Sequence, residues 1–300
     1  MTAIDATRAV TTQPGQKTEP QSHQRTSKRR LRDWLLLLVA IIVALIMASP
    51  LLLLVLNAFK TGADYSTNGP LAWPTSFTTD AFTAYLDRVN FPLALWNSVF
   101  SSTFIAFVGT GLALVTSYAI GIGRIKGSGI VTTILLLATM IPHEALIYPL
   151  FYGAQATGTL NSIWSINIVF TILFAAFGTY ILSSVMSTFP REVLEAAAID
   201  GAHKWTILWK VVFPIVRPTL AVLVVFIFIW SWNEFYIPLI LLGTPDSQTV
   251  PIALSTLRGQ HSIDITVINA GSLLSLLPTL IFFLIFQNTL KRGVTAGAVK

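Results

Sequence analysis

The sequence contains no cysteine and little charge for its length. Charged residues make up 11% of the 300 residues, against about 25% in ordinary soluble domains, while hydrophobic residues make up 54%. Without cysteine, disulfides, thiolate catalysis and cysteine-ligated metal sites are excluded. The histidines are too far apart in the sequence to predict a metal site: His23, His143, His203 and His261. This composition predicts a helical membrane protein.

The sequence also lacks the motifs of enzymes that bind nucleotides. Chains that hydrolyse ATP often cradle phosphates in a GxxxxGK[ST] loop, and no such stretch is present. The nearest glycine cluster, GIGRIKGSG at residues 121–129, has no Lys-Ser or Lys-Thr pair, and one of its glycines comes a residue too late for GxGxxG. No paired carboxylates or nucleophile–base set stands out either. The chain is therefore predicted to have no catalytic residues, no metal and no cofactor of its own.

Six apolar runs are long enough to cross a bilayer. They cover about residues 34–56, 94–119, 130–152, 166–188, 219–241 and 271–290. A transmembrane domain is thus predicted over residues 31–300. Residues 1–30 are polar and end in a basic cluster, and they have little apolar surface to bury. They are predicted to form a disordered cytoplasmic tail.

The distribution of Lys and Arg predicts the orientation of these spans. With both termini in the cytoplasm, 16 of the 19 Lys and Arg residues lie inside, and only Lys60, Arg88 and Arg258 lie outside. This bias obeys the positive-inside rule. It also explains the net charge of +6 as a topogenic signal, so no nucleic acid partner is predicted.

One charged segment, residues 189–218, then faces the cytoplasm between the fourth and fifth spans. Asp200-Gly201 is a helix stop at which glycine can take a left-handed conformation. A second short helix from His203 is expected to end at Pro214 and Pro218. Two interpretations stay open on the residues alone. The segment is either a docking element for another protein or an amphipathic helix lying on the bilayer surface.

The pattern Glu195-Ala196-Ala197-x-x-Asp200-Gly201-Ala202, followed by the two prolines, resembles the EAA signature of permease subunits of binding-protein-dependent ABC importers. Further stretches resemble the carbohydrate branch of that family: FGTYILSSVMSTFP, WNEFYIPLILL, TVPIALSTLRG and the terminal RGVTAGAVK. They are similar to the second, six-helix permease subunit of maltose-type importers. The resemblance covers about residues 34–300.

This resemblance implies an all-α protein with the type I ABC importer permease fold, a multi-pass protein of the bacterial cell membrane. The chain would form half of a sugar translocation pathway, as a heterodimer with a second permease subunit. Two copies of an ABC ATPase, which bind ATP and Mg, and an extracytoplasmic solute-binding protein would complete the importer. Membrane lipid is the remaining partner.

The resemblance also assigns roles to residues. In the family, the charged loop forms coupling helices that sit in a cleft of the ATPase, so Glu195 would contact the ATPase and Gly201 would supply the bend. Near the C-terminus, Thr295, Ala296 and Gly297 belong to a tail that reaches the ATPase interface in relatives. The alternative for this tail is a frayed basic end held near anionic lipid.

A second candidate site interrupts the fifth span. Trp232, Asn233 and Glu234 follow an apolar stretch, and a helix starting at Thr219 would carry Glu234 about 22 Å along the membrane. A carboxylate facing lipid is unfavourable, so Glu234 is predicted to face the bundle interior or a wet cavity. With Trp232, Asn233 and Tyr236 it could contact a sugar. A polar contact with the partner permease is the alternative.

An ion-coupled secondary transporter is the competing functional class. Such proteins place several ionisable residues at membrane depth. Here only His143, Glu144 and Glu234 qualify. The source of energy separates the two classes, because uptake by an ABC importer depends on ATP and is sensitive to vanadate, whereas ion-coupled uptake is abolished by ionophores.

The predicted orientation is testable because the chain has no native cysteine. Single cysteines replacing Tyr65, Gly158 or Asp246 are expected to react with a membrane-impermeant maleimide in intact cells, because these positions lie in outside loops. Single cysteines replacing Gly127 or Lys204 are expected to react only after permeabilisation. Labelling of Lys204→Cys from outside would reverse the orientation and remove the docking interpretation.

Overall fold

The computed structural model describes residues 27–123, 125–257 and 264–298, and every regular element in these ranges is a helix. In chain order the helices are α1 Ser27–Ala58, α2 Gly62–Asn68, α3 Asp80–Arg88, α4 Phe91–Gly121, α5 Ser128–Thr139, α6 Ile147–Ala156, α7 Ile163–Ser187, α8 Arg191–Ile199, α9 Lys204–Asn233, α10 Tyr236–Leu241, α11 Val250–Thr256 and α12 Ile265–Ala298. Short 3-10 turns lie before α6 and α11, at His143–Leu146 and Pro245–Ser247.

Within the described ranges, five helices are long and apolar enough to cross a membrane: α1, α4, α7, α9 and α12. The predicted continuous span over 130–152 is wrong. Instead, α5 and the segment His143–Ala156 meet at 91° and together could form a sixth, broken span. Pro142 lies at the break. Proline lacks an N–H and disfavours helical geometry in the residue before it, so the helix ends here and restarts.

The chain separates into two units at Pro50. In the first unit, the described part of α1 carries exposed apolar side chains such as Trp34, Leu45 and Met47. A helix that is apolar on all sides is well solvated by lipid. Because α1 begins at Ser27, the last residues of the tail predicted to be disordered are helical. The remainder of that prediction, residues 1–26, lies outside the described residues.

In the second unit, α4 and α7 pack closely because small residues lie between them. A Cβ added to Gly178 would lie 2.8 Å from the Ala113 side chain and 3.0 Å from Leu223 of α9. A Cβ added to Gly109 would lie at an ordinary contact distance, 3.6 Å, from the backbone carbonyl oxygen of Thr171. In a membrane the hydrophobic effect does not drive helices together, so close van der Waals packing carries much of the association.

A smaller core is formed by α3, α11 and the neighbouring ends of α4 and α12. The Tyr85 ring is fully buried in it, and a Cβ added to Gly271 of α12 would lie 2.5 Å from that ring. Burial raises the pKa of Tyr85 to about 12. The fully buried Lys60 nearby in the chain donates from its Nζ to the Gly69 carbonyl at 2.9 Å. These contacts give the segment between α1 and α4 a defined structure.

The helix after the charged segment is continuous from Lys204 to Asn233. The prediction that Pro214 and Pro218 end a short helix is therefore wrong. A π-helical segment, Ile207–Val212, lies in this helix just before Pro214. A π turn holds one residue more than an α turn and is therefore wider. The wider turn leaves room for the Pro214 ring, which in a regular α-helix would clash with the carbonyl four residues earlier. Pro214 then lies in the first turn of the following α segment, where a missing N–H costs little.

Two other predicted spans have different ends. α9 stops at Asn233, because Glu234 takes an extended conformation, with φ −68° and ψ 133°, and α10 is a separate helix. The predicted span 219–241 is thus replaced by α9 and α10. The last span, predicted over 271–290, is longer and runs from Ile265 to Ala298.

The packing of α4, α7 and α9 can be tested with a matched pair of glycine substitutions. Gly178→Val is expected to lower the melting temperature of the purified protein in detergent, because overpacking a core usually costs about 1–3 kcal/mol. Gly111 of α4 has open space at its Cβ position, so Gly111→Val is the control for the loss of a helical glycine. Equal melting temperatures of the two variants would contradict the close packing at Gly178.

Candidate functional site

The α8–α9 turn (residues 191–206) contains the EAA-like motif. Its bend is a Schellman motif, in which the Ala202 N–H donates to the Ala197 carbonyl and the Gly201 N–H donates to the Ala198 carbonyl, both at 3.0 Å. Gly201 has a φ of +76°. The prediction that Gly201 takes a left-handed conformation is therefore confirmed. The bend orients α8 and the start of α9 through backbone hydrogen bonds alone.

The residues of the motif divide between the two sides of this turn. Glu195, Ala196 and Asp200 are exposed. Ala197 and Ala202 are partly buried and pack against the main hydrophobic core. The second pair therefore anchors the turn, and the first three residues are presented outward with Gly201 between the helices.

Sequence reasoning missed three large apolar side chains on the same turn and just beyond it. Ile199 is 86% exposed, Trp205 is 56% exposed and Trp209 is 49% exposed. The sequence does contain a signal for this exposed surface: large apolar residues lie among charged ones in a segment outside the apolar runs. Together with the exposed motif residues, they make this end of the chain a mixed apolar and charged surface.

The turn is held against the helical bundle at one further point. The Tyr118 hydroxyl, near the end of α4, donates to the Lys204 carbonyl at 3.1 Å. Phe189 and Leu194 also pack on the main core, so α8 is attached to the bundle at its beginning. The start of α9 is therefore connected both to α8 and to α4.

A cavity of about 280 Å³ lies between α5, α7 and α9, beside the bend of the broken span. Its wall is lined by Ala138, Thr139, His143, Leu173, Phe174, Ala176, Phe177, Trp230 and Glu234. The Trp230 ring stacks on Phe174, with centroids 5.9 Å apart and planes inclined by 12°, and meets Phe177 edge-on at 5.1 Å. The cavity thus combines an aromatic surface with a carboxylate and an imidazole.

The four predicted pathway residues do not converge. Glu234 lines the cavity. Trp232, in contrast, is 4% exposed and stacks on Phe228, and the Asn233 amide donates to the carbonyl of Ile229 in its own helix.

The fourth residue, Tyr236, belongs to α10 and is exposed. Helical periodicity explains why Glu234 lines the cavity and the other three residues do not. Residues four apart share a face, and Trp230, not Trp232, lies four residues before Glu234. That spacing is the sequence signal that would have identified the second member of the site.

A wider groove of about 1080 Å³ opens between α5 and the ends of α4 and α7 that adjoin α8. Hydroxyl groups line much of it: Ser128, Thr132, Thr133, Tyr180, Ser183, Ser184 and Ser187. Several of these hydroxyls donate to backbone carbonyls one turn earlier, as in Thr132 to Ser128 at 2.9 Å. The oxygen of such a hydroxyl can still accept a hydrogen bond from a solute.

The described residues form no metal site, and they leave the predicted contact of the C-terminal tail untested. Within the described ranges, no three His, Asp or Glu side chains cluster closely enough to hold a metal ion. The backbone of Thr295, Ala296 and Gly297 belongs to the end of α12, and their side chains lie outside the described residues. The proposed contact of this tail with an ATPase stays a prediction.

Comparisons with known proteins agree with this architecture. Residues 120–295 match the family described as binding-protein-dependent transport system inner membrane component. The chain is 32% identical to the lactose transport system permease protein LacG of Rhizobium radiobacter, over 92% of this chain and 99% of that protein. It is 30% identical to the arabinooligosaccharides transport system permease protein AraQ of Halalkalibacterium halodurans, over 89% of this chain and 96% of that protein.

Among solved structures, a bacterial ABC transporter involved in the import of the acidic polysaccharide alginate has a similar chain. The TM-score is 0.73 at 22% identity, covering 88% of this chain and 98% of that chain. This likeness concerns the fold, and it confirms the helical importer permease fold predicted from the sequence. The matched family region runs from the end of α4 into α12, so it includes the broken span, the α8–α9 turn and the cavity wall. The chain is a multi-pass membrane protein that belongs to the family of inner membrane components of binding-protein-dependent transport systems.

Proposed function

We propose that this chain forms one half of the translocation pathway of an ATP-driven sugar importer. A second permease subunit completes the pathway as a heterodimer. The names of the relatives that transport lactose and arabinooligosaccharides support a sugar as the solute. The cavity supports it chemically, because sugars present C–H faces that pack on aromatic rings such as Trp230, and hydroxyls that donate to a carboxylate such as Glu234.

The α8–α9 turn is the proposed contact with the ATPase. Glu195, Ala196 and Asp200 are exposed on it, and the small alanine side chains leave the backbone open to close approach. Gly201 supplies the bend, while Ala197 and Ala202 hold the turn on the bundle. Thr295, Ala296 and Gly297 are a second proposed contact with the same partner.

The other components follow from membership of the family. Two copies of an ABC ATPase are proposed to bind ATP and Mg and to carry out hydrolysis, because the sequence of this chain contains no GxxxxGK[ST] loop. A solute-binding protein outside the membrane delivers the sugar, and a structure of the alginate importer with its periplasmic protein supports such a partner. Membrane lipid surrounds the spans.

One observation carries the proposal: a single helix joins the two sites. α9 begins at Lys204 in the α8–α9 turn and ends at Asn233, next to Glu234 in the cavity wall. Its 30 residues span about 45 Å. A displacement of the turn by an ATPase would therefore move Trp230 and Glu234 directly, without an intermediate loop.

The coupling role of the turn can be tested by substitution. Gly201→Val is expected to abolish ATP-dependent, vanadate-sensitive uptake, because a left-handed conformation costs a side-chain-bearing residue about 1–2 kcal/mol. Glu195→Lys is expected to have the same effect by reversing the charge at the contact. Both variants should still insert in the membrane, with weaker ATPase association or uncoupled hydrolysis.

A matched control for Gly201 exists on the other side of the bundle. Gly158 also has a positive φ, of +67°, and also has open space at its Cβ position. Gly158→Val introduces a similar backbone strain away from the turn and is expected to retain uptake. Normal uptake in Gly201→Val and Glu195→Lys would leave the turn as a surface helix with no coupling role.

The cavity can be tested with a pair of adjacent positions. Glu234→Leu is expected to reduce uptake more than Glu234→Gln, because glutamine keeps the shape and most of the hydrogen bonding. Complex assembly and basal ATPase activity should persist in both. Asn233→Leu is the control, because Asn233 bonds to its own helix, away from the cavity. Loss of assembly in Glu234→Leu would assign Glu234 to packing, and unchanged uptake would remove it from the pathway.

A further inference from the structure

The fixed charges at the cavity are mainly negative. Among the described residues that line it, Glu234 and His143 are the ionisable ones. Glu144, exposed in the adjoining 3-10 turn, interacts electrostatically with Glu234, as does His143. With both carboxylates ionised, the charge of this group stays negative even when the imidazole is protonated. The cavity wall therefore offers a solute no net positive charge.

Among its described residues, the groove between α4, α5 and α7 supplies no compensating cation either. The groove between α4, α5 and α7 is lined by hydroxyls and apolar side chains, and neither lysine nor arginine is among its lining residues. The described basic side chains of the second unit stand outside both spaces: Lys60, Arg88, Lys126, Arg191, Lys204, Lys210 and Arg217. In these two spaces, a negatively charged solute would meet hydroxyls but no opposite charge on the described lining residues.

The low polarity around Glu234 strengthens the repulsion between its carboxylate and a negatively charged solute. Two like charges repel about four times more strongly at an effective dielectric constant of 20 than in water at the same distance. Glu234 shares its wall with Leu173, Phe174, Phe177 and Trp230, which keep the local polarity low. The carboxylate can still accept hydrogen bonds from sugar hydroxyls, so an uncharged sugar gains a contact where an acidic sugar meets repulsion.

We infer that this cavity is a charge filter that admits sugars without acidic groups and rejects uronates and other anionic sugars, with Glu234 as the specificity-determining residue. The inference rests on the proposed function, because it takes the cavity to be part of the sugar pathway. It deepens that function by naming the class of sugar. The fold alone does not imply it, since the similar chain of the alginate importer belongs to a system for an acidic polysaccharide.

The charge of the cavity can be measured without knowing the transported sugar. Ala176→Cys places a single thiol in the wall of the full-length chain, which has no other cysteine. The probes are an anionic sulfonatoethyl methanethiosulfonate and a cationic trimethylammonioethyl methanethiosulfonate, applied to the protein purified in detergent. Ser76→Cys, in the exposed segment between α2 and α3, is the control thiol. Each ratio of rates is normalised to that of free 2-mercaptoethanol.

The cationic reagent is expected to react about tenfold faster than the anionic one at Ala176→Cys, as an electrostatic potential of this sign requires. The ratio at Ser76→Cys should stay near one. Adding Glu234→Gln should lower the ratio at Ala176→Cys several-fold, and Glu144→Gln should lower it by less. Equal rates, or a faster anionic reagent at Ala176→Cys in the otherwise unchanged chain, would overturn the filter.

A transport measurement separates failure of the filter from failure of the proposed function. The assembled importer is supplied with ATP and with digalactose or digalacturonate, which differ only by the carboxylates at C6. Uptake of digalacturonate at the rate of digalactose or faster would contradict the filter and leave the proposed function standing. The absence of ATP-dependent uptake of any sugar would contradict the proposed function, and the filter with it, even where the thiol measurements find a negative cavity.

Discussion

The close contact of α4 and α7 at Gly178 is the constraint on which the other features of the bundle depend. Because no side chain separates the two helices there, Leu223 of α9 reaches Gly178 and fixes α9 against α7. Leu223 and Trp230 are seven residues apart and share one face of α9. Glu234 follows four residues after Trp230, directly beyond the end of the helix, and continues that face. The same face that packs on the α4–α7 contact therefore carries the aromatic ring and the carboxylate of the cavity.

The cavity lies where the backbone departs from helical geometry. The 3-10 turn at His143 interrupts one span, and the extended conformation of Glu234 ends another. In a membrane, backbone of this kind is tolerated where it is buried in protein or lines a wet space, because its polar groups need partners that lipid cannot offer. Both breaks border the cavity, so the local irregularity of the backbone and the polarity of the site have the same origin.

Much of this arrangement could be predicted from the sequence, and the errors have physical causes. Apolar runs located the spans, and Asp200-Gly201 identified the left-handed bend, since both signals are local. The continuity of α9 past Pro214 could not be predicted, because a π turn depends on packing and leaves no mark in composition.

The pathway residues show a similar limit. The unfavourable exposure of a carboxylate to lipid correctly directed Glu234 into a cavity. Adjacency in the sequence wrongly groups Trp232 and Asn233 with Glu234, because the phase of the helix directs both side chains away from the cavity. The spacing of four residues indicates Trp230, but only the position of α5 and α7 in space reveals that His143 lines the same cavity.

The π segment Ile207–Val212 gives this chain an unusual response to changes in its length. A π turn is an α-helix that holds one residue too many, so the loss of any one of these six residues would restore regular α geometry. Pro214 would then lie in the interior of a regular α-helix, where its ring clashes with the carbonyl four residues earlier and kinks the helix. Because the π turn already absorbs the extra residue, the helical segments on its two sides would keep nearly the same rotational register. At the level of the gene, deletion of a single codon here would tilt the α8–α9 turn by a kink at Pro214 while leaving the residues that line the cavity untouched.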